Sequence, residues 1–269
     1  MASKDEYVFS RDFLDDTRIN LMHHLWTRFF GYTIHPKIPI ESANLKVADI
    51  GTGTGMWLLD VAEKLPKETQ LDGFDISFDA APPSEILPTN VKFRHWNVRD
   101  PVPEDLVGVY DIVHIRFFGY VLRNDEIPGV AAKLFSLLKP GGYLQWGEAD
   151  MQSLRFENAK PDGKTQYLTE LYDLLKVDDR LKPTWVRNLP EILSSSGFVD
   201  VEMQDVDPQP HLAYIFHEAS LIMHNQFARR TKSEHLAREV KRLLPLVVDE
   251  VKQGAWGTSL RCTAIGRKP

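Results

Sequence analysis

Val47-Ala-Asp-Ile-Gly-Thr-Gly-Thr-Gly55 is the stretch on which the fold turns. It closes the short apolar run Leu45-Lys-Val-Ala-Asp-Ile50, passes through three alternating glycines, and opens an apolar helix spanning roughly Met56 to Leu65 that Pro66 stops. A buried strand feeding a glycine loop and then a helix brings bare backbone close to a ligand. The start of the helix adds free N–H groups and partial positive charge. Such a turn suits a nucleotide or nucleoside at the carboxyl ends of parallel strands.

Outward from this loop, the same rhythm continues. Leu71-Asp-Gly-Phe-Asp-Ile76, Val91-Lys-Phe-Arg-His-Trp96, Tyr110-Asp-Ile-Val-His-Ile115 and Tyr143-Leu-Gln-Trp146 read as further strands, with a helix over about Ile127 to Leu138. Strands alternating with helices at this spacing indicate βαβ units and a parallel sheet with helices on both faces. After Asp150 the pattern becomes mainly helical, with helices expected near 164–177, 189–196, 217–230 and 233–253. Phe198 to Met203 and Leu260 to Ile265 supply two more strands, which makes seven. Ahead of the core, an aromatic-rich helix is expected to run from an N-cap at Ser10 to Gly31, and Thr231 with Glu234 has capping-box spacing.

Composition sets the outer bounds. The 269 residues carry 32 Lys plus Arg against 38 Asp plus Glu, a net charge of −6, which disfavours nucleic acid or an anionic membrane as partner. The single cysteine, Cys262, cannot form an internal disulfide, and no apolar run is long enough to span a bilayer. A soluble, cytoplasmic protein is expected. No HExxH or Cys/His cluster calls for a metal.

The glycine loop also discriminates among ligands. A dinucleotide fingerprint counted from Gly51 requires Gly or Ala where Met56 stands, so a nicotinamide oxidoreductase is disfavoured. Asp49, two residues before the glycines, offers nothing to a diphosphate but suits a cationic ligand without phosphate. S-adenosylmethionine is such a ligand. Asp75, 24 residues after Gly51, can accept hydrogen bonds from both ribose hydroxyls. Ile76 can pack on the adenine face, and Asn97 with the Val98 N–H can meet its edge.

Together, Asp49-x-Gly51-x-Gly53-x-Gly55, Leu71-Asp-Gly-Phe-Asp75, Tyr110-Asp-Ile-Val-His114 and Leu138-Lys-Pro-Gly-Gly142 resemble the class I, seven-stranded S-adenosylmethionine-dependent methyltransferases. Flanking text such as Arg18-Ile-Asn20, His35-Pro36, Trp57-Leu-Leu-Asp60 and His114-Ile-Arg116 is similar to fungal secondary-metabolite methyltransferases of the gliotoxin type. The resemblance implies an α/β fold: a Rossmann-like, seven-stranded, mostly parallel sheet with helices on both faces and added helices forming a lid over the cofactor cleft. It implies one domain, with core segments at about 41–150, 185–209 and 257–269 and lid segments at 1–40, 151–184 and 210–256. It further implies S-adenosyl-L-methionine as cofactor, held by Asp49, Gly51, Thr52, Gly53, Asp75, Ile76, Asn97, Val98 and His114. Many relatives carry Asp where this chain has Asn97, whose carbonyl can still accept a bond from the adenine amino group.

The expected reaction is methyl transfer to a N, O or S atom of a small organic acceptor, with His114 the candidate base. Tyr7, His24, Trp26 and Arg116 are assigned to the substrate side. His23 and His24 point about 100° apart on their helix, so at most one readily faces the cleft. A competing reading keeps the fold and the cofactor but not the transfer, as in a lyase, a pericyclase or a regulatory methyltransferase-like protein.

Overall fold

A computed structural model describes residues 12–175 and 183–269. Its centre is a seven-stranded sheet of β1 (Lys46–Ile50), β2 (Gln70–Asp75), β3 (Val91–His95), β4 (Tyr110–Arg116), β5 (Leu138–Ala149), β7 (Val199–Val206) and β9 (Arg261–Arg267). The spatial order is β3-β2-β1-β4-β5-β9-β7. The first five strands are mutually parallel, and β9 runs antiparallel to both β5 and β7. This is the expected Rossmann-like arrangement. The chain order reverses between β1 and β4, where an open α/β sheet places its ligand crevice.

Near-continuous apolar strands are buried on both faces, as a parallel sheet requires. On one face α3 (Ile127–Leu137) and α5 (Leu189–Ser195) bury Leu134, Leu189 and Leu193 against Val113, Leu144 and Trp146. On the other, α2 (Met56–Ala62) buries Trp57, Leu58 and Val61 against Val47, Leu71 and Ile112. Pro128 and Pro190 sit in the first turns of α3 and α5, where a missing N–H costs nothing.

The helical additions form a second layer of packing. α1 (Phe13–Phe30) meets α6 (Pro210–Arg230) through Met22, Leu25, Leu212, Phe216 and Ala219. α4 (Gln166–Leu175) and α7 (Glu234–Lys252) bury Leu168, Leu171, Val240, Leu243 and Val247 together with Phe227 of α6.

Several local expectations change. Asp12 caps α1, accepting from the N–H of Leu14 at 3.1 Å and of Asp15 at 3.2 Å, while Ser10 lies outside the described residues. Gly31 ends α1 in the left-handed region, its N–H bonded to the Thr27 carbonyl at 2.8 Å. The capping box at Thr231 and Glu234 does not form, because Thr231 closes α6 and the Ser233 hydroxyl caps α7 through Leu236 N–H. Pro245, expected to kink this helix, lies inside α7, which continues on both sides of it from Glu234 to Lys252. A separate antiparallel ribbon of β6 (Arg155–Asn158) and β8 (Ala255–Thr258) was not expected from the sequence. Among the described residues, no helix is long and apolar enough to cross a membrane.

Candidate active site

The glycine loop leaves β1 at the crevice. Gly51, Gly53 and Gly55 all have positive φ (69°, 56° and 75°), and the N–H groups of Gly51 and Thr52 both reach the Phe74 carbonyl of β2. At Gly51 a Cβ would lie 2.5 Å from the Phe118 ring, so backbone conformation and close approach both demand glycine. At Gly53 a Cβ would meet nothing closer than 4.0 Å; the missing side chain leaves open space instead.

Behind the loop, β1 and β4 set Asp49 opposite His114 in register. Asp49 is 3% exposed; its Oδ1 accepts from His114 Nδ1 at 2.7 Å and its Oδ2 from the Thr52 hydroxyl at 2.8 Å. A carboxylate only accepts, so His114 carries its proton on Nδ1 and keeps the Nε2 lone pair. The imidazole stacks on Trp57 with ring centroids 3.8 Å apart and planes 4° apart. Burial lowers its pKa, with the hydrogen bond to Asp49 opposing.

Asp75 ends β2 and ties the loop to it. Its Oδ2 accepts from Gly53 N–H at 2.9 Å, and its Oδ1 from Ile76 N–H at 2.7 Å. Ile76 remains 43% exposed at the cavity wall, an apolar face left open to a planar partner. Asn97 Oδ1 accepts from Arg99 N–H at 3.0 Å, which fixes the turn after β3 and leaves that oxygen one lone pair.

All these groups line one cavity of about 480 Å³, a volume in the ordinary range for a ligand site. Asp49, Gly51, Thr52, Gly53, Asp75, Ile76, Asn97, Val98, His114 and Arg116 meet there. Two expected residues do not, and Tyr7 lies outside the described residues. His24 is exposed and it is His23 that lines the cavity, because α1 packs on the core through the face bearing Met22 and His23. Trp26 is buried between Phe30 and Phe117 as core packing and is absent from the wall. Both assignments are corrected by the face that α1 buries.

Arg116 donates from Nη2 to His23 Nδ1 at 3.0 Å, so His23 carries its proton on Nε2 and faces Asp60 at 3.3 Å. Burial, with Arg116 alongside, pushes the His23 pKa down to about 3. The Arg116 pKa falls to about 10 through burial, which leaves the guanidinium charged at neutral pH.

Sequence reasoning missed two features. Glu148, 2% exposed in β5, accepts from Phe118 N–H (2.7 Å), Gly119 N–H (3.1 Å) and Trp146 Nε1 (2.9 Å). It thereby fixes the turn after β4 that sets Phe118 against Gly51. Burial raises its pKa to about 7 against those three donors. The second is the inner end of the cavity, where α6 presents Phe216, His217, Ser220 and His224, α4 presents Tyr172, and β9 presents Arg261. The spacing of His217, Ser220 and His224 at i, i+3 and i+7 was available as a one-face signal. Among the described residues, no three His, Cys, Asp or Glu side chains are grouped to hold a metal ion.

Strand order, glycine loop and crevice together define a methyltransferase-type α/β domain. A family of proteins described as methyltransferase domains matches residues 15–242, and the chain belongs to that family. It is 32% identical over 148 residues to the N-methyltransferase tcpN of Claviceps purpurea (54% of this chain, 53% of that one). It is 31% identical over 159 residues to the N-methyltransferase gliN of Aspergillus fumigatus (59% and 55%). The matched part thus spans about half the length of these curated relatives. Among solved structures, the fold resembles Haemonchus contortus phosphoethanolamine N-methyltransferase 2 in complex with S-adenosylhomocysteine. The TM-score is 0.51 at 15% identity, covering 96% of this chain and 60% of that one.

Proposed function

We propose that the protein is an S-adenosylmethionine-dependent methyltransferase that transfers a methyl group to a N, O or S atom of a small organic molecule, of the kind made in fungal secondary metabolism. The observation that carries this reading is one continuous cavity with two chemically different ends. One end has the open glycine cradle, the Asp75 carboxylate and the exposed Ile76; the other has buried aromatic and polar side chains. The names of the fungal relatives point the same way.

The cofactor end fits S-adenosylmethionine. The space at Gly53 admits a ligand against bare backbone, Asp75 offers acceptors to ribose hydroxyls, and Ile76 with Val98 flanks a planar base. When bound, the cofactor supplies a methyl group already activated on a sulfonium. The protein then has to hold the acceptor atom within about 3–3.5 Å of that carbon and in line with the breaking bond. Asp49 fixes the His114 tautomer and Trp57 fixes the ring plane, so His114 can receive a proton only at Nε2. The helices α1, α4, α6 and α7 act as a lid that keeps bulk water from the inner end. We further place the protein in the cytoplasm, with neither membrane nor nucleic acid as partner.

The test is calorimetric titration with S-adenosylhomocysteine, followed by product assays on a panel of thiol, phenol and amine acceptors. Cofactor binding with methylated product supports the proposal. Binding without turnover on any acceptor favours a protein that uses the fold without transferring the methyl group. Absence of binding refutes the site.

A further inference from the structure

Arg261 begins β9, pairing with Ala149 of β5 and Val206 of β7, and lines the inner end of the cavity. It is 4% exposed, and among the described residues no carboxylate lies within ion-pair distance; Asp207 acts on it only at longer range. Its Nη1 donates to the Ser259 carbonyl at 2.9 Å and to the Ser259 hydroxyl. The guanidinium lies over the Phe216 ring at 4.4 Å, and Nε is buried with no hydrogen-bond partner. Nη2 likewise makes no hydrogen bond to the described residues. Burial lowers its pKa only to about 10, so the group stays cationic. A buried charge without a counter-ion is costly, and proteins normally pair it. The unused donor, Nη2, can take a carboxylate through a charge-assisted hydrogen bond.

The neighbouring wall is neutral, with hydroxyl groups from Tyr172, Ser220 and Thr258 beside two imidazoles. His224 Nδ1 faces the Ser220 carbonyl at 3.0 Å, so the proton sits on Nδ1 and Nε2 keeps a lone pair. The Ser220 hydroxyl donates to the His217 carbonyl at 2.6 Å, and neither His217 nor His224 has a partner at Nε2. Among the described residues, no aspartate or glutamate of α4, α6 or β8 lines this end of the cavity.

From these observations we infer that the acceptor molecule carries a carboxylate, and that Arg261 receives it at its guanidinium, where Nη2 is the donor neither used nor sealed. The inference rests on the methyltransferase reading of the cavity and names the class of its substrate. The carboxylate of the cofactor's methionine is the competing source of the same chemistry. Sheet order favours the acceptor: β9 is three positions from β1, about 14 Å from the glycine loop at roughly 4.8 Å per strand.

The experiment uses protein saturated with S-adenosylhomocysteine and calorimetric titration of matched probes. The pairs are 4-hydroxybenzoate with 4-hydroxybenzamide, phenylacetate with phenylacetamide, and indole-3-acetate with indole-3-acetamide. At least one carboxylate should bind about tenfold or more tightly than its amide, the scale of a charge-assisted hydrogen bond. Arg261→Gln should abolish that preference and leave S-adenosylhomocysteine affinity unchanged. Arg261→Lys keeps the charge but loses the Nη2 donor; it should also lose most of the preference, and it serves if the glutamine variant does not fold. The inference is overturned if no carboxylate is preferred in any pair, absence of binding included, or if the preference survives both substitutions. A tenfold loss of S-adenosylhomocysteine affinity in either variant overturns it too, by assigning Arg261 to the cofactor. Wild-type protein that takes no S-adenosylhomocysteine refutes the proposed function itself, which is a different failure.

Discussion

Replacing His224 by Asn should change how the protein's stability depends on pH. The imidazole is 2% exposed, packed at 4.6 Å against the Tyr172 ring, with its Nδ1–H on the Ser220 carbonyl. Burial lowers its pKa from 6.5 to about 4, with the Ser220 hydrogen bond opposing. Between these two values the unfolded chain binds a proton at this residue and the native protein does not. Stability from His224 is therefore present above pH 6.5 and is lost as pH falls toward 4. One proton corresponds to about 1.4 kcal/mol per pH unit, so lowering the pH from 7 to 5 removes about 2 kcal/mol.

Other groups titrate in the same window. His217, its pKa pushed down to about 3 by burial, adds a loss of the same sign. Glu148, raised to about 7, acts the other way: its contribution falls as pH rises from 4.5 through 7 and is regained on acidification. The raw curve of the wild-type protein is a sum of opposed effects; the difference between wild type and His224→Asn cancels Glu148 and leaves His224 together with the part of the His217 shift that His224 causes. Asn retains a side-chain N–H near the Nδ1 position, so its cavity cost is the same at every pH. Urea unfolding at pH 7, 6 and 5 gives the comparison. The stability difference between the two proteins should shrink by about 2 kcal/mol from pH 7 to pH 5. Parallel curves would refute the neutral, buried imidazole.

Asp75→Ala removes both the clamp on Gly53 N–H and the proposed ribose acceptor. It should weaken S-adenosylhomocysteine binding by about 1–3 kcal/mol, and a folded variant with unchanged affinity in calorimetry contradicts the assignment. Gly51→Ala puts a Cβ 2.5 Å from the buried Phe118 ring at a φ of 69°. Left-handed strain and overpacking together should cost about 2–5 kcal/mol in denaturant unfolding, and a loss below 1 kcal/mol would show that the turn relaxes freely. Glu148→Gln puts an amide where an acceptor of three N–H groups stands, so at least one donor loses its partner. A destabilisation of about 1–3 kcal/mol is expected at pH 8, measured the same way, and a neutral result would mean that the turn after β4 holds itself.

The cofactor end was readable because its parts are local. Asp49, the three glycines and α2 occupy one run of sequence, and Asp75 follows at the end of the next strand, so periodicity and glycine spacing suffice. The choice between His23 and His24 is of another kind. Adjacent residues on a helix have the same local propensity, and only the packing of Met22 and Leu25 against Leu212 and Phe216 of α6 decides which imidazole turns inward. Trp26 was misplaced for the same reason, since its partners Phe30 and Phe117 come together only when α1 docks. The β6–β8 ribbon escaped notice because two four-residue strands, about 100 residues apart in the chain, offer too few alternations to register as a pair.

The inner end of the cavity is wholly of this second kind. Tyr172, His217, His224 and Arg261 come from α4, α6 and β9, and in sequence each has an ordinary reading. Arg261 sits in Leu260-Arg-Cys-Thr-Ala-Ile265, where alternation gives an arginine the look of a solvent-facing residue on an edge strand. Burial of β9 between β5 and β7 reverses that meaning and makes the side chain a cation enclosed without its counter-ion. A position that local pattern treats as surface is thus where this chain departs most from what burial alone would select. The departure makes sense if the missing anion arrives with the ligand. On the proposed reading, cofactor recognition rests on contiguous motifs, and acceptor choice on contacts that only the tertiary fold creates. On that reading, exchanging the residue at the start of β9 changes the acceptor a chain takes without touching a glycine or aspartate of the loop.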